Sequence, residues 1–255
     1  ASPMPDGLDY VRAAVLPLAL STAAAGLFEP GQLGLGPPKL KPVATGRTVL
    51  IWGGSTSVGS NAIQLAVAAG YEVIATASPR NFDRLRQLGA AEVFDYRSKT
   101  AVRDIIAACG RRDMAGALAI GAGSAGPCID IMAATGGDKA VSMASTPLSF
   151  ESVPLGPGRG LWLAKTMPRL IAATAGLMLK ARLRGVRTAS IFSTSIASNA
   201  VGPMIYADFL PQALQAGRYW PSPDPELHGA GLDRIQSALE AHKRGVSAKK
   251  LVVTL

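Results

Sequence analysis

A turn rich in glycine and hydroxyl side chains follows a short apolar run early in the chain. The turn reads Gly53-Gly54-Ser55-Thr56-Ser57-Val58-Gly59, and the run before it spans residues 48–52. Glycines let a turn tighten, so that a diphosphate can approach the backbone N–H groups at the positive end of a following helix. Ser57 replaces the middle glycine of the dinucleotide-binding fingerprint, and its hydroxyl can donate to phosphate. The turn predicts a dinucleotide site, although Gly/Ser turns also end many buried strands.

The residues after the next β-rich run, 72–76, indicate which dinucleotide would bind. They read Ala77-Ser78-Pro79-Arg80-Asn81, with no carboxylate before Asp83. Proteins that bind NAD place an acidic side chain there to accept from the ribose 2′-hydroxyl, and such a carboxylate would repel the 2′-phosphate of NADP. Ser78, Arg80 and Asn81 can all donate to a phosphate. We therefore predict NADPH as the cofactor, the alternative being that Arg80 is an ordinary solvated loop residue.

A regular alternation of β-rich runs and helical segments must position these motifs. Strands are predicted at 48–52, 72–76, 92–95, 116–120, 139–143 and 190–193, and helices at 61–69, 81–88, 102–109 and 127–134. Strands that alternate with helices of this length form right-handed βαβ units. The predicted fold class is therefore α/β, a Rossmann-type doubly wound parallel six-stranded sheet. Its motifs would lie at the carboxyl ends of the strands.

The chain divides into three predicted regions. Residues 1–46 form an N-terminal helix and linker, 47–200 the dinucleotide-binding domain, and 201–255 two helices and a return strand. A mostly helical insertion at about 151–187 carries seven Lys or Arg and no Asp or Glu after residue 158. Because the sequence begins with Ala rather than Met, we expect it to be part of a longer protein.

The bulk composition narrows the classes of protein and partner. With 255 residues, 48% of them hydrophobic and 17% charged, the chain can bury a sizeable core. The net charge of +9 suits polyanionic small molecules. No nucleic-acid module accompanies the basic run, so no nucleic acid is expected as a partner. The apolar stretches 13–28 and 161–179 are interrupted by proline and predict soluble helices rather than membrane spans. Two cysteines, Cys109 and Cys128, predict a reducing, cytoplasmic setting without a metal site.

Six blocks of sequence extend the pattern beyond the turn. They are 16–23, 52–55, 75–83, 88–90, 93–97 and 245–252. Together they resemble the zinc-independent medium-chain dehydrogenase/reductases, especially quinone oxidoreductases and fungal-type trans-acting enoyl reductases. The resemblance covers nearly the whole chain. It implies a GroES-like catalytic barrel that is essentially absent from these residues, apart from a closing strand near 250–255.

The resemblance also implies where the cofactor would lie. Besides Gly53, the implied contacts are Ser55, Thr56, Ser57 and Val58 to the diphosphate; Ser78, Arg80, Asn81 and Tyr96 to the 2′-phosphate; and Gly121, Gly123, Ser145, Ile191 and Phe192 around the nicotinamide and its ribose. Thr22, at the start of its helix, is the candidate catalytic residue near the nicotinamide. The alternative for Thr22 is an N-cap or core-edge hydroxyl. The acidic residue common in the family's fourth strand is missing from Leu118-Ala119-Ile120.

The predicted activity is an NADPH-dependent reduction. Hydride would pass to the β-carbon of an α,β-unsaturated carbonyl or to a quinone, with an enone, enoyl thioester or quinone as substrate. An acyl carrier protein is a further candidate partner, and the protein is expected to be a monomer or homodimer. Two alternatives stay open: an NADPH-binding module without turnover, and a relative of zinc alcohol dehydrogenases, whose ligands the chain lacks. His228, in a loop context, and His242, on a helix, are predicted as surface residues rather than catalysts.

Overall fold

The computed structural model describes residues 3–148, 153, 156 and 158–255. Its main sheet contains β1 Arg47–Trp52, β2 Glu72–Ala77, β3 Glu92–Asp95, β4 Asp113–Ala119, β5 Gly136–Gly137, β6 Ala140–Met143 and β7 Arg187–Ser190. The strands run in the order β3-β2-β1-β4-β6-β7, and the two-residue β5 pairs with β4. Every pairing is parallel. The predicted Rossmann-type sheet of six principal strands is confirmed.

Helices cover both faces of this sheet. They are α1 Tyr10–Ala13, α2 Pro17–Phe28, α3 Ser57–Ala68, α4 Phe82–Gln87, α5 Ala101–Cys109, α6 Ala125–Ala134, α7 Arg159–Leu183, α8 Val201–Pro203, α9 Leu210–Gln215 and α10 Arg234–Lys243, with a π-helical segment Met204–Phe209 between α8 and α9. One core packs α2 and α3 against Val49 and Ile51 of β1, and the other packs α5 and α6 against Leu50 and Trp52. Successive side chains of a strand point to opposite faces, so the continuous apolar run of β1 serves both cores.

The strand order reverses at β1, in the middle of the sheet. Ile51 pairs with Ala75 of β2 on one side and with Leu118 of β4 on the other. Where the connections leave a central strand in opposite directions, the carboxyl ends of the two strands frame a crevice in which ligands bind. The glycine-rich turn begins directly after β1, so the fold places this turn at that crevice.

Two strands differ from the sequence prediction. The strand predicted at 190–193 is β7 at Arg187–Ser190, which pairs with β6 in register from Ala140 to Met143. A second parallel sheet joins β8 Asp224–Ala230 to β9 Lys249–Thr254, of which only the latter was predicted. His228 therefore lies on a strand instead of in a loop, with Nε2 3.1 Å from Ser237 Oγ on α10.

The second N-terminal helix, α2, belongs to the core. By length and composition, the helical segment 10–28 could cross a membrane. Yet 56% of this segment's apolar window is buried inside the protein. Ala23, Ala24 and Leu27 of α2 are completely buried, because this helix packs against both α3 and the sheet. A core helix passes the same composition test as a membrane span, and burial accounts for its apolar character here.

The basic insertion contains a long helix, α7, whose last turns contact α6. Lys180 Nζ lies 2.7 Å from Asp130 Oδ2 on α6, and Ala181 is the buried residue of the helix. Six large apolar side chains along α7 are exposed: Leu161, Met167, Ile171, Met178, Leu179 and Leu183. Residues 151, 152, 154, 155 and 157 of the predicted insertion lie outside the described residues.

Candidate dinucleotide-binding site

The glycine-rich turn is tied to the end of the neighbouring strand β2. The N–H of Gly53 donates to Thr76 Oγ1 over 3.0 Å, and that of Gly54 donates to the Thr76 carbonyl over 2.8 Å. Thr56 Oγ1 donates to the Gly53 carbonyl and accepts from the N–H of Gly59, at 2.8 and 3.0 Å. Thr56 is thus the N-cap of α3. These bonds fix the turn where β1 passes into the helix.

Three glycines of the turn leave no room for a side chain. Gly53 has φ of +89°, which favours glycine, and a Cβ there would stand 2.9 Å from the Ile120 carbonyl oxygen. A Cβ on Gly54 would stand 2.6 Å from Leu85 Cδ2, and one on Gly59 would clash with the Gly53 carbonyl. The glycines therefore let helix, turn and strand approach closely, as the spacing of the motif predicts.

The start of α3 offers free donors to an anion. The helix begins at Ser57, and the first N–H groups of a helix have no acceptor within it. The Thr56 hydroxyl takes up the N–H of Gly59, which leaves the N–H groups of Ser57 and Val58 directed out of the helix end. Positive helix-end charge adds to these donors. The turn therefore fits a diphosphate, with Thr56 acting as the cap and its side chain already engaged.

Hydroxyl groups meet at the ends of β2 and β3. Ser78 is buried, Tyr96 is 40% exposed, and a hydrogen bond from Ser78 lowers the pKa of the Tyr96 phenol. Asn81 is buried and its Nδ2 donates to Ser247 Oγ over 3.3 Å. Arg80 is exposed, and no described residue bonds to its guanidinium. Of the four residues expected at a 2′-phosphate, the structure sets Ser78 and Tyr96 side by side, directly after the paired ends of β2 and β3.

Arg97 is a further basic residue at this place that the sequence reasoning missed. Its Nε donates to Tyr96 Oη over 3.1 Å, and its guanidinium lies 5.3 Å from the centre of the Tyr96 ring. The available signal was its position directly after Tyr96 in the block 93–97. From sequence alone, a single arginine in a loop is indistinguishable from an ordinary solvated residue, because its contacts depend on the fold.

The loops after β4 and β6 meet across the crevice. Gly121 donates its N–H to Ser145 Oγ over 2.9 Å, and Ile120 donates to the Trp52 carbonyl over 3.1 Å. Gly121 and Gly123 have φ of +97° and +79°, and nothing lies within 4 Å of a Cβ built on either. The two glycines thus border open space next to β1, where a ribose could lie.

The two residues after β7, Ile191 and Phe192, have opposite orientations. Ile191 continues the ladder by donating to the Met143 carbonyl over 2.9 Å, and its side chain packs against Gly26 of α2. Phe192 is 73% exposed. Of the two residues expected beside the nicotinamide, Ile191 thus packs inward, and Phe192 carries the accessible side chain.

Thr22 lies in the second turn of α2, and the expectation that it starts the helix is wrong. Its Oγ1 donates to the Leu18 carbonyl over 2.8 Å, so it is not an N-cap. The helix begins earlier because Pro17 occupies its first turn, where a missing N–H costs nothing. Thr22 is half-buried, one turn before Gly26, which packs against Leu118 of β4.

A groove of about 970 Å³ opens beside the N-terminus of α2. Its walls are mostly apolar, with hydroxyls from Ser21, Thr194 and Tyr206. Tyr206 Oη lies 2.8 Å from Ser21 Oγ and donates to the Pro17 carbonyl over 2.9 Å, while burial raises the pKa of this phenol. The groove reaches the segment that follows Phe192. It was not anticipated, because it joins residues that are distant in the sequence.

The remaining candidate ligands do not converge. Cys109 and Cys128 are free and buried, and burial raises the pKa of both thiols. Within 3–148 and 158–255, together with 153 and 156, no group of three or more His, Cys, Asp or Glu could hold a metal ion. Because both thiols lie among apolar side chains, they serve packing in the core around α5 and α6.

Comparison with known proteins shows which family this chain belongs to. The chain is 49% identical to the dehydrogenase pigH of Monascus ruber over 99% of its own length and 67% of that protein. It is 36% identical to the trans-enoyl reductase himH of Aspergillus japonicus, over 99% of the chain and 64% of the relative. The chain belongs to the medium-chain dehydrogenase/reductase family.

Solved structures show the same fold. The CurK enoyl reductase superposes with a TM-score of 0.69 at 19% identity, covering 98% of this chain and 64% of that one. No family profile matches the chain. Since the chain spans about two thirds of the length of these proteins, it corresponds to the part that contains the Rossmann-type sheet.

Proposed function

We propose that this chain is the cofactor-binding part of an NADPH-dependent reductase. The observation that carries the proposal is the end of β2, where hydroxyls and arginines stand in place of a carboxylate. The parallel pairing of β2 with β3 sets Ser78 beside Tyr96, and Arg80 and Arg97 follow them in the sequence. Uncharged donors and cations favour a 2′-phosphate, whereas an NAD site needs an acceptor for the ribose hydroxyl.

Each part of the crevice then has a role in holding the cofactor. Ser57 and Val58 offer N–H groups to the diphosphate, with Ser55 beside them in the turn. Gly121 and Gly123 leave space for the nicotinamide ribose, and Ser145 orients the first of them. Phe192 can cover the nicotinamide and exclude water. The bound cofactor supplies the hydride, and the protein supplies position and a dry surrounding.

The proposed substrates are small molecules with a conjugated acceptor. Relatives named as trans-enoyl reductases favour an enone or enoyl thioester, and a quinone is the second candidate. The groove beside α2 offers apolar walls to such a molecule, with Thr22 one residue from the groove residue Ser21. Hydrogen-bond donors must stabilise the oxyanion that develops on the acceptor. An acyl carrier protein is the candidate macromolecular partner, since its acidic surface would complement the cations of α7.

Titration and turnover together test this function. NADPH and NADH are titrated into the chain, and NADPH oxidation is then followed with an enone, an enoyl thioester and a quinone. The turnover assay is run on the chain and on a version as long as its relatives. Binding of NADPH with turnover of at least one acceptor supports the proposal. Tight NADPH binding without turnover by either version would favour a silent cofactor-binding module.

A further inference from the structure

The parallel register of β2 and β3 sets two loops side by side. Ala77 at the end of β2 pairs with Asp95 at the end of β3. The next residues, Ser78 and Tyr96, therefore emerge together at the carboxyl edge of the sheet, where the Ser78 hydroxyl lowers the pKa of the Tyr96 phenol. The residue after Tyr96 is Arg97, so the fold delivers a guanidinium to the same place.

Three contacts hold Arg97 in position. Its backbone N–H donates to Asp95 Oδ1 over 2.9 Å, its side-chain Nε donates to Tyr96 Oη over 3.1 Å, and its guanidinium lies 5.3 Å above the Tyr96 ring. Among the described residues, no acceptor bonds to its two terminal nitrogens. Arg97 is exposed, like Arg80, but its bond to Tyr96 already orients the guanidinium and leaves the terminal nitrogens as donors.

Arg80 offers a contrast on the neighbouring loop. It lies in a short 3-10 turn, Pro79–Asn81, and its exposed side chain has no bonding partner in the part of the chain that the structure describes. Ordering such a side chain around a ligand costs rotamer entropy, and a cation that is already held avoids most of that cost.

We propose that Arg97 is the principal cation that recognises the 2′-phosphate, ahead of Arg80. Arg97 would donate from its terminal nitrogens while Tyr96 donates its phenolic O–H to the same phosphate and Ser78 supports that phenol. The nearby Asp95 carboxylate accepts from the backbone N–H of Arg97, so it orients this residue. This role of Arg97 rests on the proposed NADPH function. It ranks Arg97 above Arg80 in binding the 2′-phosphate, whereas sequence position alone would favour Arg80.

Single substitutions compare the two arginines directly. R97Q and R80Q remove one charge each, and R103Q is the matched control, because Arg103 is an exposed arginine on the next helix, α5. Dissociation constants are measured calorimetrically for NADPH, NADH and 2′,5′-ADP. We expect R97Q to weaken NADPH and 2′,5′-ADP about tenfold or more, as the loss of a charge-assisted hydrogen bond does. R80Q should weaken them less, and R103Q should leave them unchanged.

The NADH constant separates a local effect from misfolding. R97Q should bind NADH as the wild type does, and R97K should recover part of the NADPH affinity. A larger loss in R80Q than in R97Q, or an unchanged preference in R97Q, would overturn the role of Arg97. If the wild-type protein prefers NADH, the proposed function itself fails. If the wild type prefers NADPH and R97Q keeps that preference, only the role of Arg97 fails.

The Tyr96 phenol reports whether Arg97 acts at the expected place. The hydrogen bonds from Ser78 and Arg97 both lower the pKa of this phenol. R97Q should therefore raise it, as measured by ultraviolet titration of the difference between each protein and its Y96F variant. A merely structural arginine elsewhere, such as Arg103, should leave the titration of Tyr96 unchanged.

Discussion

Gly59, in the first turn of α3, lies directly against the carbonyl group of Gly53 at the end of β1, and no Cβ fits between them. This contact brings the helix N-terminus up to the strand. The N–H groups of Ser57 and Val58 are thereby directed into the crevice, so the proposed diphosphate site depends on a glycine that would not touch the ligand.

G59A should lower the free energy of unfolding by about 1–3 kcal/mol, because the methyl group forces the turn and helix apart. Urea unfolding at pH 7 measures this loss. The control is G176A on α7, where a Cβ meets nothing within 4 Å; it should raise stability by about 0.4–1 kcal/mol. Equal stability of G59A and wild type would contradict the close packing.

A carboxylate at the end of β2 should reverse the cofactor preference. S78D places an acid beside Tyr96, where it would repel a 2′-phosphate and accept from a ribose hydroxyl. We expect NADPH affinity to fall roughly tenfold to a hundredfold, the loss expected for a disrupted charged contact, without a comparable loss for NADH. Fluorescence titration measures both. Q87E, which adds the same charge at an exposed site on α4, should change neither constant.

One ion pair ties the small second sheet to the main domain. Arg84 of α4 bonds to both carboxylate oxygens of Asp224 in β8, at 2.5 and 2.9 Å. The hydrogen bond from Arg84 lowers the pKa of the Asp224 carboxyl. The pair therefore stabilises the folded chain above the ordinary carboxyl pKa of about 3.9, and this contribution disappears as the pH falls through the lowered value.

D224N should accordingly reduce the free energy of unfolding at pH 7 by less than about 1 kcal/mol, since the Asp224 side chain is 61% exposed. Urea unfolding at pH 7 and at successively lower pH should show this deficit shrinking. D83N, which removes the exposed pair of Asp83 with Arg86, is the control and should have no measurable effect. A deficit of D224N that is independent of pH would show that the charge of Asp224 does not cause it.

The central sheet could be predicted because its signals are local. The buried run at 48–52 and the turn at Gly53 need no distant partner to be recognised, and α3 differs only in starting at Ser57, since Thr56 caps it. The first strand of the second sheet, Asp224–Ala230, could not be predicted in this way. Pro225 and Gly229 look like loop residues, and the strand exists because β9 pairs with it.

The relative placement of the candidate site residues could be predicted in part, while their role in binding stays a prediction. Ser78 and Tyr96 were expected at one phosphate, and the parallel pairing of β2 with β3 does bring them together. The orientation of Ile191 and the hydrogen bond from Thr22 to Leu18 depend on how α2 packs. The local sequence does not predict that packing. Arg97 became a candidate only when its contact with Tyr96 was visible.

The relative affinity of the wild-type chain for NADPH and NADH tests the central claim most directly. Calorimetric titration of both cofactors under the same salt conditions should show NADPH bound at least about tenfold more tightly, since charge-assisted hydrogen bonds to the 2′-phosphate are lost with NADH. Equal affinities, or tighter binding of NADH, would contradict the assignment of Ser78, Tyr96 and the neighbouring arginines to a 2′-phosphate.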